Sequence, residues 1–198
     1  MKVLVACESS GTVRDAFAAR EHDAWSCDIL PAAGKHLECD VRHVLDQGWD
    51  LMIAHPPCTY LCVSGMHWTA RGLRPQQLTE DALEFVKILL AAPIARKAIE
   101  NPVGVISSRI RPPDQYIQPY QFGEDASKKT GLWLENLPKL VPTKSIPGRK
   151  VLHNGVLRER WSNQTDSGQN CLPPSADRWQ ARSKTYQGIA NAMAEQWG

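Results

Sequence analysis

The chain has no apolar run near the roughly 20 residues that span a bilayer, and no segment of it is of low complexity or repeats another. A membrane span and a solenoid are both excluded as readings. Excess charge is lacking too: 23 Lys and Arg against 21 Asp and Glu leave a formal +2, so no dense basic tract advertises nucleic acid, although folding can still gather a local patch. The opening MKVLVACES turns polar too early for a signal peptide, and a cytoplasmic location is expected. The six cysteines, Cys7, Cys27, Cys39, Cys58, Cys62 and Cys171, mostly sit in or beside apolar segments. They lack the dense framework of a small secreted domain, and reduced thiols are expected.

What is present suffices for one domain. With 198 residues, 42% hydrophobic and 22% charged, the chain can bury a real core but not two full-sized ones. Lys2 to Cys7 (KVLVAC) reads as a strand, ESSGT as a tight turn, and VRDAFAAR as a helix with Val13, Ala16, Phe17 and Arg20 at helical spacing. Further strands fit Ala24 to Ile29, a weaker segment ending near Cys39-Asp40, Leu51 to Ala54, and Arg96 to Glu100. Between the last two, Pro75 to Ala92 carries Leu78, Ala82, Phe85, Val86, Leu89 and Leu90 on one helical face. Such alternation predicts an α/β fold, a Rossmann-like, mostly parallel sheet whose ligands gather at the carboxyl ends of its strands. From Ser107 prolines crowd the sequence, so residues 107–182 are expected to form an irregular extension of the same single domain, 1–198. Thr185 to Trp197 is expected to return to the core as a helix.

Three features fall at expected strand ends: the ESSG turn, the Pro56-Pro57-Cys58 turn and Glu100-Asn101-Pro102. A glycine-bearing turn brings backbone N–H groups near a ligand, and an acid after the second strand, here Asp28, is where such folds bond a ribose. The turn is not G-x-G-x-x-G, however, and a strand-to-helix turn without a ligand reads equally well. A cysteine behind two prolines is held rigidly at the crevice, where a packing thiol would sit more comfortably inside the strand. His55, Cys58 and Cys62 are close enough to raise zinc, but no second ligand pair follows at finger-like spacing and the H-x-E element of the zinc deaminases is absent, so no metal is expected.

HPPC at 55–58, ENP at 100–102 and the opening glycine turn together resemble the cytosine C5 methyltransferase family, which uses S-adenosylmethionine. The likeness extends to Ser64 and Gly65 after the cysteine, to the R-x-R pair Arg109 and Arg111, and to YQGIANAM at 186–193, similar to the family's closing Gly-Asn-Ala helix. It covers residues 1–111 and 183–197 in the family's usual order. Where the family's first motif reads Phe-Ala-Gly-x-Gly-Gly, this chain has Ala6-Cys7-Glu8-Ser9-Ser10-Gly11. About 70 residues fill the interval that holds a recognition domain in the family.

The resemblance implies roles. Cys58 would add to carbon 6 of cytosine, because carbon 5 is too weak a nucleophile to attack a methyl sulfonium unaided. Glu100, its pKa raised by partial burial, would donate to N3 as negative charge develops on the ring. Arg109 or Arg111 would grip the carbonyl oxygen or a phosphate. Pro57, Asn101, Pro102 and Gly65 would complete the base pocket. S-adenosylmethionine would rest on Cys7, Glu8, Ser9, Gly11, Asp28, Asp40, Pro56 and Asn191. The implied partner is DNA, single-stranded or duplex, with a free cytidine nucleotide as the alternative substrate and a non-catalytic nucleic-acid-binding module as the more distant one. Gln118 to Leu140, with Lys128, Lys129 and Trp133, is either a small nucleic-acid-facing surface or a proline-rich structural wrap.

Overall fold

The computed structural model describes residues 1–175 and 178–198. Strand β1 (Lys2–Ala6) leads into helix α1 (Thr12–Ala18), followed by β2 (Asp23–Asp28), β3 (His36–Glu38) and β4 (Leu51–Ala54). Helices α2 (Val63–Ala70) and α3 (Gln77–Leu90) precede β5 (Arg96–Pro102) and the single turn of α4 (Ile106–Arg109). The remainder comprises β6 (Gln115–Ile117), β7 (Thr130–Glu135), a hairpin of β8 (Arg149–His153) and β9 (Val156–Arg160), α5 (Arg178–Ser183) and α6 (Gln187–Trp197).

The seven-stranded sheet has the order β3-β2-β1-β4-β5-β7-β6. Strands β3, β2, β1, β4 and β5 are mutually parallel, and β7 runs antiparallel to both its neighbours. Period-two alternation divides the core between the two faces. Val3, Val5, Leu51 and Ile53 point to the side covered by α1 and α6, where Phe17, Met193 and Trp197 meet them. Leu4, Ala6, Met52 and Ala54 point to the side of α3, against Leu83, Val86 and Leu89. Because both faces are covered, these strands read as continuous apolar runs. Each fully buried Leu or Ile among them contributes about 1.5–3 kcal/mol by removal from water.

The chain builds outward from β1 to β3, then returns to lay β4 against the other side of β1. The order therefore reverses between β1 and β4, leaving a crevice beyond their carboxyl ends. No helix among the described residues is long and apolar enough to cross a membrane.

The extension after residue 107 is more ordered than its prolines suggest. Leu132 and Trp133 of β7 lie in the core, with the Trp133 indole N–H donating to the Arg111 carbonyl at 2.7 Å. The Gln118–Leu140 segment thus contains a core strand, β7, and of its expected nucleic-acid-facing side chains Trp133 is excluded by burial. Lys129 is exposed, its Nζ 4.3 Å from the centre of the Tyr116 ring.

Candidate active site

The crevice between β1 and β4 receives a rigid loop. The His55 N–H continues the sheet by donating to the Ala6 carbonyl at 2.9 Å. Pro56, buried, and Pro57, exposed, then fix φ at two successive positions, and Cys58 opens a 3-10 turn running to Tyr60. The buried Asn101 amide on β5 donates to the Pro56 carbonyl at 2.8 Å, clamping the diproline to the neighbouring strand. The Cys62 N–H returns to the Cys58 carbonyl at 2.9 Å. Two glycines then permit close backbone approach: a Cβ on Gly65 would lie 1.9 Å from the Thr59 carbonyl oxygen, and one on Gly104 would lie 1.9 Å from that of Leu61. Gly65 therefore seats α2 on the cysteine turn.

Parallel register decides what faces Cys58. Ala54 pairs with Ile99, so the next residues, His55 and Glu100, emerge side by side. Their side chains are about nine-tenths buried, and His55 Nδ1 lies 2.9 Å from Glu100 Oε2. Burial pushes the Glu100 carboxyl up, but the His55 hydrogen bond, the Lys128 charge and the Thr130 hydroxyl more than offset it and leave the group below the usual carboxylate range. The raised pKa expected from burial is thus reversed, because burial came with partners. An ionised carboxylate can only accept, so Nδ1 carries the shared hydrogen. Among the described residues, His55 Nε2 and Asn101 Oδ1 are both buried without a hydrogen-bond partner, and orphaned polar atoms of this kind are costly unless a ligand or water satisfies them.

The thiols form a second pair. The hydrogen bond to Cys62, followed by burial, pushes Cys58 up. Cys62 is lowered to about 5 by the hydrogen bond from Cys58, with the Ser64 hydroxyl and the Gly65 N–H also favouring its thiolate against burial. Cys62 is accordingly the more acidic partner and Cys58 the protonated one. Sequence reasoning considered Cys62 and His55 only as metal ligands. The signals for their other roles are the Cys-x3-Cys spacing, which places two thiols one turn apart, and the equal setback of His55 and Glu100 from two paired strands. Among the described residues no group of three or more His, Cys, Asp or Glu side chains could hold a metal ion.

The β1–α1 turn differs from what a cofactor-binding glycine loop would show. Cys7 adopts φ 58°, the left-handed region. Glu8 is buried, and its carboxylate accepts the Val13 N–H at 2.8 Å, the Arg14 N–H at 3.2 Å and the Ser10 hydroxyl at 3.1 Å. It caps α1 from within the turn, engaging two of the helix's first N–H groups. Gly11 adopts φ 70° where the turn enters the helix, and Ser9 is half-buried beside it. Asp28 ends β2, its Oδ1 accepting the Leu30 N–H at 3.0 Å and its other oxygen without a hydrogen bond among the described residues. Asp40 is gripped by the Arg42 guanidinium, with Nε 2.9 and 3.0 Å from its two oxygens, which lowers its pKa to about 2.

The arginine pair is also engaged. Arg109 Nη2 donates to both carboxylate oxygens of Glu80 on α3 at 2.8 and 3.0 Å, and Arg111 bonds Asp114 at 2.7 Å and the Leu134 carbonyl at 3.1 Å. Neither bonds Cys58 or Glu100. Pro102, half-buried, closes β5 against Thr130. Asn191 is exposed in a shallow groove between α1 and α6, accepting from Gln187 at 2.9 Å. The structure thus gathers Cys58, Pro56, Glu100 and Asn101 into one centre with His55 and Cys62, and leaves Asn191, Arg109 and Arg111 in other contacts.

No protein-family profile and no curated protein matches the chain. Among solved structures it is similar to a prophage-encoded protein of E. coli assigned as a DNA modification methyltransferase, with a TM-score of 0.50 and 14% identity over 75% of this chain and 52% of that one. A methyltransferase of Entamoeba histolytica matches with a TM-score of 0.48 and 14% identity, over 74% of this chain and 58% of that one. The chain spans little more than half the length of these structures. The likeness to the first, with the strand order above, shows the fold: a Rossmann-like, mostly parallel α/β sheet.

Proposed function

We propose that this chain methylates carbon 5 of cytosine in DNA, using S-adenosylmethionine and a covalent adduct at Cys58. One observation carries the reading: a thiol on a diproline-stiffened turn stands at the topological switch point beside the buried His55–Glu100 pair. The second Asp28 oxygen suits a cofactor ribose, and the orphaned His55 Nε2 and Asn101 Oδ1 suit a polar heterocycle entering the crevice. Bound there, S-adenosylmethionine supplies an electrophilic methyl group.

The remaining chemistry belongs to the chain. The Cys58 thiol loses its proton to water as its sulfur bonds carbon 6 of cytosine. The ring gains electron density, which a proton at N3 neutralises. The His55–Glu100 pair holds that proton after taking it up with the substrate, since the resting carboxylate is ionised. Carbon 5 is then nucleophilic. After methylation the carbon 5 proton passes to water, the N3 proton returns to the His55–Glu100 pair and the Cys58 sulfur leaves as thiolate, which restores the ring. In a duplex the base must first leave the stack, because neither group can reach it inside.

The test is transfer of labelled methyl to duplex DNA, single-stranded DNA and cytidine nucleotides in parallel, with Cys58→Ala as the blank. 5-Methylcytosine in DNA, absent with the variant, is the expected product. Label confined to nucleotides would replace the substrate, and turnover by Cys58→Ala would end the covalent reading.

A further inference from the structure

The β8–β9 hairpin buries none of its strand residues. Leu152, Leu157 and Val156 are 72%, 62% and 50% exposed. A two-stranded ribbon is marginal alone in water, yet this one is carefully built. Asn154 and Gly155 adopt φ 51° and 75°, the two left-handed positions of a type I′ turn. At the root, Arg149 bonds Asp166 at 2.6 Å and Arg160 bonds the Asp166 carbonyl at 3.1 Å. Trp161 follows immediately, stacked on Tyr120 with centroids 4.0 Å apart and donating to the Ile146 carbonyl.

That root adjoins the active site. Asn163 exchanges hydrogen bonds of 2.9 Å with the backbone of Ser127, and the next residue, Lys128, is the cation that acts on Glu100 and Cys58. The ribbon also concentrates charge. Residues 149–160 hold four basic side chains and one acidic, a net +3 in a chain whose total is +2. Lys150 and Arg158 are exposed and have no partner among the described residues. Register puts Arg158 opposite Val151 on one face and Lys150 opposite Glu159 on the other, with Leu152 and Leu157 paired beyond it.

Resting on the reading of DNA as substrate, we propose that the β8–β9 hairpin is the duplex-docking element, a basic ribbon seated in the major groove. Its strands of five residues are about 16 Å long and some 5 Å apart, within a groove about 12 Å wide and 8.5 Å deep. Lys150 and Arg158 would meet phosphates, and the apolar tip would meet base edges such as the thymine methyl.

Binding of a fluorescent duplex, read by anisotropy without methyl donor across a salt series, tests this separately from catalysis. Lys150→Gln/Arg158→Gln should reduce the slope of log K against log salt by about 2 and weaken binding about 60-fold near 0.1 M salt, at about 0.9 counterion per phosphate contact, with an unchanged melting temperature. An affinity and slope equal to wild type would overturn the proposal. So would a variant that loses only self-association in sedimentation, which would make the ribbon a contact between copies. Absent methyl transfer with hairpin-dependent binding would sink the catalytic reading alone.

Discussion

Replacing Gly65 by alanine should damage catalysis far more than stability. The new Cβ would lie 1.9 Å from the Thr59 carbonyl oxygen, where ordinary contact begins at 3.4 Å, so α2 and the cysteine turn must part by about 1.5 Å. Helix α2 buries no residue, and moving it disturbs little core. The cost should fall near the lower end of the roughly 1–3 kcal/mol typical of overpacking, or about 2–6 °C in Tm for a chain of this size. The chemistry is less forgiving. Thr59 follows Cys58 directly, and Cys62 heads α2, so whichever side yields, the two thiols separate. A displacement near 1 Å in a reacting group costs on the order of 10²-fold in rate. Methyl transfer under saturating substrates, beside thermal melting, measures both effects. A kcat within threefold of wild type would refute the reasoning, since the thiol pair would then tolerate separation.

Two further outcomes follow from buried carboxylates. His55→Gln removes the imidazole that helps hold Glu100 below its ordinary 4.5, and carbon-13 NMR of the Glu100 carboxyl should show its titration move up. The sign is that of a depressed acid: the stabilisation from Glu100 is present above the unfolded value near 4.5, is lost as pH falls through the folded value, and shrinks in the variant; an unmoved titration would discard the pairing. Glu8→Gln weakens acceptance of the Val13 and Arg14 N–H groups at the start of α1 and should cost about 1–2 kcal/mol in urea unfolding; unchanged stability would mean that Glu8 is free for a ligand after all.

Strands β1, β2 and β4 and helices α1, α3 and α6 were legible because each carries its apolar residues at the period of its own structure. The second half was not. Strand β6 has three residues, β8 and β9 bury no face, and α2 has no apolar side to detect. Strand β5 runs two residues further than its apolar run, through Asn101 and Pro102, since β7 pairs with it there. Within the site, Cys58 and Glu100 stood out as chemistry at strand ends. The partnership of His55 with Glu100 needed the register of β4 on β5, a long-range fact. The capping role of Glu8 was hidden for a similar reason: an acid in a cofactor-type turn gives no local sign that it will fold forward to cap a helix. Arg109 matched a motif, but its partner Glu80 is 29 residues away in sequence.

The central claim is that the Cys58 sulfur bonds the substrate. Its most direct measurement is intact mass after incubation with S-adenosylmethionine and DNA carrying 5-fluorocytosine, whose fluorine cannot leave as a proton does. The account predicts a stable protein–DNA adduct mapped to Cys58 by peptide mass, and none with Cys58→Ala. Methylation of ordinary cytosine DNA, with no adduct to the fluorinated substrate, would contradict it.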